Sequence, residues 1–124
     1  MNDFRKKKVY LAGHTGMVGS AILRELESRG YKNIILKDFS ELDLRNQFEV
    51  QKFFDETKPE IVIIAAAKVG GILANNTYRA EFLYDNLMIE ANLIHSSYLS
   101  KVEKVVFLGS SCIYPKLAPQ PLKE

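Results

Sequence analysis

The stretch KVYLAGHTGMVGSAI, residues 8–22, constrains the fold more than any other part of the chain. An apolar run from Lys8 to Gly13 reads as a buried strand and passes directly into glycines at positions 13, 16 and 19. Helical periodicity begins at once: between Met17 and Arg29, Val18, Ala21, Ile22 and Leu26 share one face, and Gly30 is a stop signal. A strand joined to a helix by so tight a turn is the opening of a parallel βαβ unit, because parallel strands need a crossover and the crossover is usually a helix.

The remainder repeats this alternation. NIILK (Asn33 to Lys37) is a second strand, and NQFEVQKFFDETK is a shorter helix whose Phe48, Val50, Phe53 and Phe54 face a core and which Pro59 ends. IVIIAA (Ile61 to Ala66) is an unbroken, largely β-branched run, the pattern of a parallel strand covered on both faces. After the loop AKVGGILANNT, a long helix is expected from about Tyr78 to Leu99, on the stripe Ala80, Leu83, Leu87, Ala91, Ile94 and Tyr98. KVVFLGS (Lys104 to Ser110) is a fourth strand, and an irregular tail holds three of the four prolines. The order β-α-β-α-β-α-β predicts an α/β fold, a doubly wound parallel sheet of Rossmann type. Such sheets bind ligands beyond the carboxyl ends of their strands, where residues 13–19, 66–77 and 109 onward fall.

With 124 residues the chain has room for one domain. Its 17 Lys and Arg against 15 Asp and Glu leave no basic face for nucleic acid, and Arg5 to Lys8 is a solvated lead-in. One cysteine makes no internal disulfide, and no apolar run approaches the roughly 20 residues that span a bilayer. A cytoplasmic setting without membrane or nucleic-acid partners is expected. His14 and His95 have no second His or Cys at ligand spacing, so no metal site is expected.

The glycine turn carries the first chemical expectation. In strand-turn-helix context, Gly13 permits the turn, Gly16 admits a pyrophosphate to the backbone, and Gly19 lets helix pack on strand, while helix amides meet the negative charge. The G-x-x-G-x-x-G spacing resembles extended short-chain dehydrogenase/reductases that act on nucleotide sugars. AGHTGMVGSAI, AAAKVGGILANNTY and FLGSSCIYPKLAPQP resemble, more narrowly, the GDP-L-fucose synthase family, which epimerises and reduces GDP-4-keto-6-deoxy-D-mannose with NADPH. GDP-heptose reductases share much of the pattern.

The resemblance implies that Gly13, Gly16, Met17, Val18 and Gly19 hold the cofactor phosphates and that Asp43 and Leu44 border the adenine. For Asp43, a turn or helix-entry role is the alternative. It further implies that Ala65, Ala66 and Ala67 leave space at the strand end and that Leu108, Gly109 and Ser111 touch the cofactor. Ser110 matches the catalytic serine, and Cys112 matches a cysteine that exchanges protons beside the ketone. Tyr114 matches a tyrosine additional to the catalytic one. NADP is the implied cofactor, although Thr15 and Phe39 stand where relatives carry arginine, Lys37 could meet a phosphate, and Asp38, 19 residues beyond Gly19, resembles an acid that accepts from an NAD ribose.

None of the six tyrosines has a lysine four positions later, so the Tyr-x-x-x-Lys pair of these reductases is absent. The chain is therefore expected to be the N-terminal part of the NAD(P)-binding domain of a longer enzyme, inactive alone, with the rest of the sheet and the substrate domain elsewhere. The intact enzyme is expected to take a GDP-sugar and to form a homodimer, with Phe82, Ile89 and Leu93 serving either as a subunit contact or as core packing. A non-catalytic NAD(P)-binding sensor is the alternative, which Ser110 and Cys112 disfavour.

Overall fold

A computed structural model describes residues 4–110 and 113–123. After a 3-10 turn at Phe4–Lys6, the chain forms β1 (Val9–Ala12), α1 (Met17–Ser28), β2 (Ile34–Ile35), α2 (Gln47–Thr57), β3 (Ile61–Ile64), α3 (Ile72–Thr77), α4 (Arg79–Leu99) and β4 (Lys104–Phe107). The four strands lie in one parallel sheet in the order β2-β1-β3-β4. Among the described residues no helix is long and apolar enough to cross a membrane.

Local chemistry sets the element ends. Gly30 takes φ 82° after α1, and the Gly30 and Tyr31 amides donate to the carbonyls of Glu27 and Leu26, closing the helix with a left-handed cap that glycine adopts without strain. The Asn46 side chain accepts from the Phe48 and Glu49 amides at the start of α2. Lys58, at φ 47°, turns the chain out of that helix before Pro59.

Alternation along β1 and β3 separates two layers. Tyr10, Ala12, Val62 and Ile64 join Leu42, Val50, Phe53, Phe54 and Leu93 in the core beneath α2 and α4. Tyr10 meets Phe53 and Phe54 edge-on, at centroid distances of 4.7 and 6.0 Å, a favoured geometry for aromatic rings. Val9, Ile61 and Ile63 point to the other face, where Leu26 of α1 and Tyr31 also lie.

Four expectations change. β2 holds only two residues of the predicted NIILK, and β3 stops at Ile64, so Ala65 and Ala66 already belong to the loop. The predicted loop 67–77 contains a short helix, α3, opened by Gly71. In α4 the two stripes exchange places. Leu93 is buried and Ile89 packs on the core, so neither is a free subunit surface, while Leu83, Leu87, Ile94 and Tyr98 of the expected inward stripe are exposed. The inward face is polar for a reason: Asn92 donates to the Leu44 carbonyl at 2.9 Å, the Ser97 hydroxyl to the Leu93 carbonyl at 2.6 Å, and Asp85 is ion-paired.

The aromatic cluster should dominate stability. Replacing buried Phe54 by Ala should cost about 3–5 kcal/mol, whereas Phe48→Ala, on the exposed side of α2, should stay within about 0.5 kcal/mol, both read from urea unfolding followed by circular dichroism.

Candidate functional site

The turn after β1 is held by backbone packed on backbone. Gly13 has φ 86°, and a Cβ there would lie 2.6 Å from the Ala66 amide nitrogen, inside the loop that leaves β3. A Cβ on Gly19 would lie 1.9 Å from the Gly13 carbonyl oxygen. Neither position admits a side chain. Gly16 differs: its added Cβ would find only the Gly13 oxygen, at 3.4 Å, an ordinary contact. The protein interior therefore does not demand glycine at 16, and the bare backbone is presented outward.

Gly16 is also the N-cap of α1 and supplies no side-chain cap. The first amides of that helix have no partner within it, and the helix dipole adds positive character where they point. Met17 and Val18 are exposed at this end.

Beside the turn lies an open cleft of about 400 Å³. Its walls are the turn itself (Gly13 to Gly16), the segment after β2 (Lys37 to Phe39), the approach to α2 (Leu42 to Arg45), the exit of β3 (Ala65 to Lys68), and Asp85 and Ile89 of α4. Volumes of about 300–1,000 Å³ are usual for ligand pockets. The alanines keep its sheet side shallow, since nothing beyond a methyl group projects from them.

One wall is charged and braced. Arg45 Nη2 pairs with Asp43 Oδ2 at 2.8 Å and Nη1 with Asp85 Oδ1 at 3.3 Å, while Lys68 Nζ pairs with Asp85 Oδ2 at 2.6 Å. Asn86 then clamps the loop: its Oδ1 accepts from the Lys68 amide at 2.7 Å and its Nδ2 donates to the Lys68 carbonyl at 3.0 Å. The Lys68 hydrogen bond, and then that from Arg45, holds the Asp85 carboxyl below the usual carboxylate range. Arg45 does the same for Asp43, and its own affinity for a proton is raised by these partners. The Arg45 guanidinium also lies 5.2 Å from the centre of the Phe39 ring.

The cleft gathers Gly13, Gly16, Asp43, Leu44, Ala65, Ala66 and Ala67 of the expected residues. Gly19 is buried beneath the turn, and Met17 and Val18 stand at the start of α1 outside the lining. Asp43 acts in the turn as well, accepting from the Arg45 amide at 3.0 Å. Leu108, Gly109 and Ser110 follow β4, which runs parallel to β1, so they lie at the same end of the sheet as the glycine turn. The Ser110 carbonyl accepts from the Ile113 amide at 3.3 Å. Ser111 and Cys112 lie outside the described residues. Among the described residues no group of three or more His, Cys, Asp or Glu could hold a metal ion.

Sequence reading missed Arg45, Asp85 and Asn86. A signal existed for the last two: adjacent polar residues between Phe82 and Ile89, on a helix whose inward face is otherwise fixed by Leu93.

Comparison with known proteins gives concordant results. The model of the NAD dependent epimerase/dehydratase family matches residues 9–124. GDP-L-fucose synthase 1 of Arabidopsis thaliana is 57% identical over 124 residues, which are 100% of this chain and 38% of that protein. GDP-L-fucose synthase of Escherichia coli is 55% identical over 119 residues, 96% of this chain and 37% of that protein. A GDP-mannoheptose C4 reductase from Campylobacter jejuni, solved with NADP bound, superposes with a TM-score of 0.92 at 48% identity, over 99% of this chain and 38% of its own. The chain thus spans somewhat over a third of the length of these relatives.

Two outcomes test the site as a structure. Gly19→Ala should abolish cooperative folding and Gly16→Ala should keep it, by thermal unfolding of each. Because the Asp85 and Asp43 carboxyls are lowered in the folded state, they stabilise it above the unfolded carboxylate range near pH 4 and lose that contribution as pH falls through their folded values. Asp85→Asn should therefore flatten the acid side of the stability profile, measured by denaturant midpoints between pH 6 and pH 2.

Proposed function

Because this chain belongs to the NAD dependent epimerase/dehydratase family, we propose that it forms the N-terminal, cofactor-holding part of an NADPH-dependent sugar-nucleotide epimerase/reductase. The reaction proposed is that of a GDP-L-fucose synthase: epimerisation at C3 and C5 and reduction at C4 of GDP-4-keto-6-deoxy-D-mannose. The observation that carries this reading is Gly16, a glycine that the fold itself does not require and whose open side faces away from the turn at the start of α1. A dinucleotide fits there: its pyrophosphate would lie on the bare backbone of Gly16 and the first amides of α1, and its adenosine along Asp43 and Leu44.

When bound, the reduced nicotinamide supplies the hydride for the C4 ketone. The chain's own groups do the rest that these residues can do. Gly13, Gly16, Met17 and Val18 hold the phosphates, Gly19 serves the cofactor site by letting α1 pack close under the turn, and Ala65, Ala66 and Ala67 leave the cofactor room beside the sheet. Leu108, Gly109 and Ser111 complete the contact after β4. The Ser110 hydroxyl donates to the ketone oxygen and stabilises the negative charge that grows on it. Hydrogens beside that ketone are acidified by it, so Cys112 can remove and return them at C3 and C5. The Tyr-x-x-x-Lys pair comes from sequence outside these 124 residues, which accordingly do not turn over substrate alone.

The enzyme is proposed to work in the cytoplasm as a homodimer, with the exposed α4 stripe of Leu83, Leu87, Ile94 and Tyr98 as a subunit contact. Reduction of a GDP-heptose ketone is a second reading, favoured by the 48% identity to the Campylobacter jejuni reductase.

In the complete enzyme, Gly16→Ala should weaken NADPH binding at least about tenfold in a fluorescence titration. Ser110→Ala should slow ketone reduction about 100-fold or more. Cys112→Ser should suppress exchange of the C3 and C5 hydrogens with deuterated solvent far more than hydride transfer. Equal losses in both steps would contradict the division of labour, and absence of any NADPH binding would end the reading.

A further inference from the structure

Asp43, on the approach to α2, lines the cleft with 32% of its side chain exposed. Its acceptor capacity is almost spent on one residue. Oδ1 takes the Arg45 amide and Nε, each at 3.0 Å, and Oδ2 takes Nη2 at 2.8 Å, with Nε also 3.3 Å away. Each carboxylate oxygen has two lone pairs, so Oδ1 is filled and Oδ2 has room for one more donor. The Arg45 side-chain bonds, the largest cause, hold the carboxyl below the usual carboxylate range, so near neutral pH it is ionised and can only accept.

Arg45 is itself held on its remaining sides. Nη1 donates to Asp85 Oδ1 at 3.3 Å, and the guanidinium carbon lies 5.2 Å from the centre of the Phe39 ring. Asp85 is 7% exposed and its other oxygen accepts from Lys68 Nζ at 2.6 Å, so this anchor cannot turn away without breaking a second pair. A planar guanidinium that forks onto one carboxylate and is tied to another fixes both the position and the plane of the first. A turn brace needs less: the Arg45 amide already closes the Asp43 turn, and pairs between groups exposed to this degree add little stability. What the fork adds is a fixed direction for the one acceptor site left on Asp43.

Resting on the reading of the cleft as a dinucleotide site with its adenosine along Asp43 and Leu44, we propose that Arg45, anchored by Asp85, is a positioning residue that makes the site selective for adenine over a 6-oxopurine base. Held in place, Oδ2 accepts from the exocyclic amino group of adenine. Hypoxanthine puts a carbonyl oxygen at that point, acceptor against acceptor, and its nearest N–H lies one ring atom away. A carboxylate released from Arg45 can turn to accept from that N–H, and the selectivity is then lost.

The test is a fluorescence titration of the complete enzyme and its variants with NADPH and with the hypoxanthine analogue of NADPH. The unaltered enzyme should favour NADPH at least about tenfold, the size of one hydrogen bond to a charged group. Arg45→Met should reduce that ratio to within about threefold. Arg45→Lys, which keeps the charge and loses the fork, should reduce it as far. Asp85→Asn, which leaves Asp43 and Arg45 in place, should reduce it part of the way, and it decides the matter if the Arg45 variants do not fold. A role confined to bracing the turn would weaken both nucleotides equally and leave the ratio unchanged, which would overturn the proposal. So would full recovery of the ratio by Arg45→Lys, since charge and not orientation would then be responsible, or equal affinity of the unaltered enzyme for the two nucleotides. Failure of the unaltered enzyme to bind NADPH would instead overturn the cofactor reading beneath it.

Discussion

The rest of the structure depends on the contact of three backbone segments at the end of β1. The Gly13 carbonyl fills the space a side chain at 19 would need, and the Ala65–Ala66 peptide fills the space a side chain at 13 would need. This contact brings α1 hard against the strand it follows and fixes the exit of β3 beside it. The cleft is a product of that closeness. Its turn, its alanine-lined side and its helix amides share one origin, so none can move without the others.

A second constraint comes from α4. A helix that flanks a sheet usually turns its most apolar stripe inward, because burial of that stripe is what attaches it. Here the inward face carries Asp85, Asn86 and Asn92, and each has a partner on another segment: Lys68 and Arg45, the Lys68 backbone, and the Leu44 carbonyl. The helix thus sacrifices some apolar burial to tie the loops after β2 and β3 to one support. The energetic logic is that of a satisfied polar network, strong when complete and costly when one member is lost.

The parts legible in the sequence were those governed by near neighbours. Strand β1, the turn, α1 with its Gly30 stop, and α2 with its aromatic face follow from periodicity and capping within a few residues. The inverted stripes of α4 were not legible, since apolar spacing cannot tell a core face from an exposed one when the inward residues are polar but paired at a distance of 17 or 48 positions. For the same reason the candidate site emerged as glycines and alanines without its charged brace. Arg45 reads as one more surface cation until Asp85 is placed next to it. His14 reads as a loop residue until its inward ring nitrogen is found without a hydrogen-bond partner.

The sheet also has an open margin. Among the described residues β4 pairs with β3 alone, and Val105 and Phe107 are exposed along it. A strand with one unsatisfied row of amides and carbonyls is a template for another chain. Self-association observed for residues 1–124 in isolation would therefore mix edge-to-edge zippering with any helix-mediated pairing, and a lysine introduced at position 105 would silence the former without touching the latter.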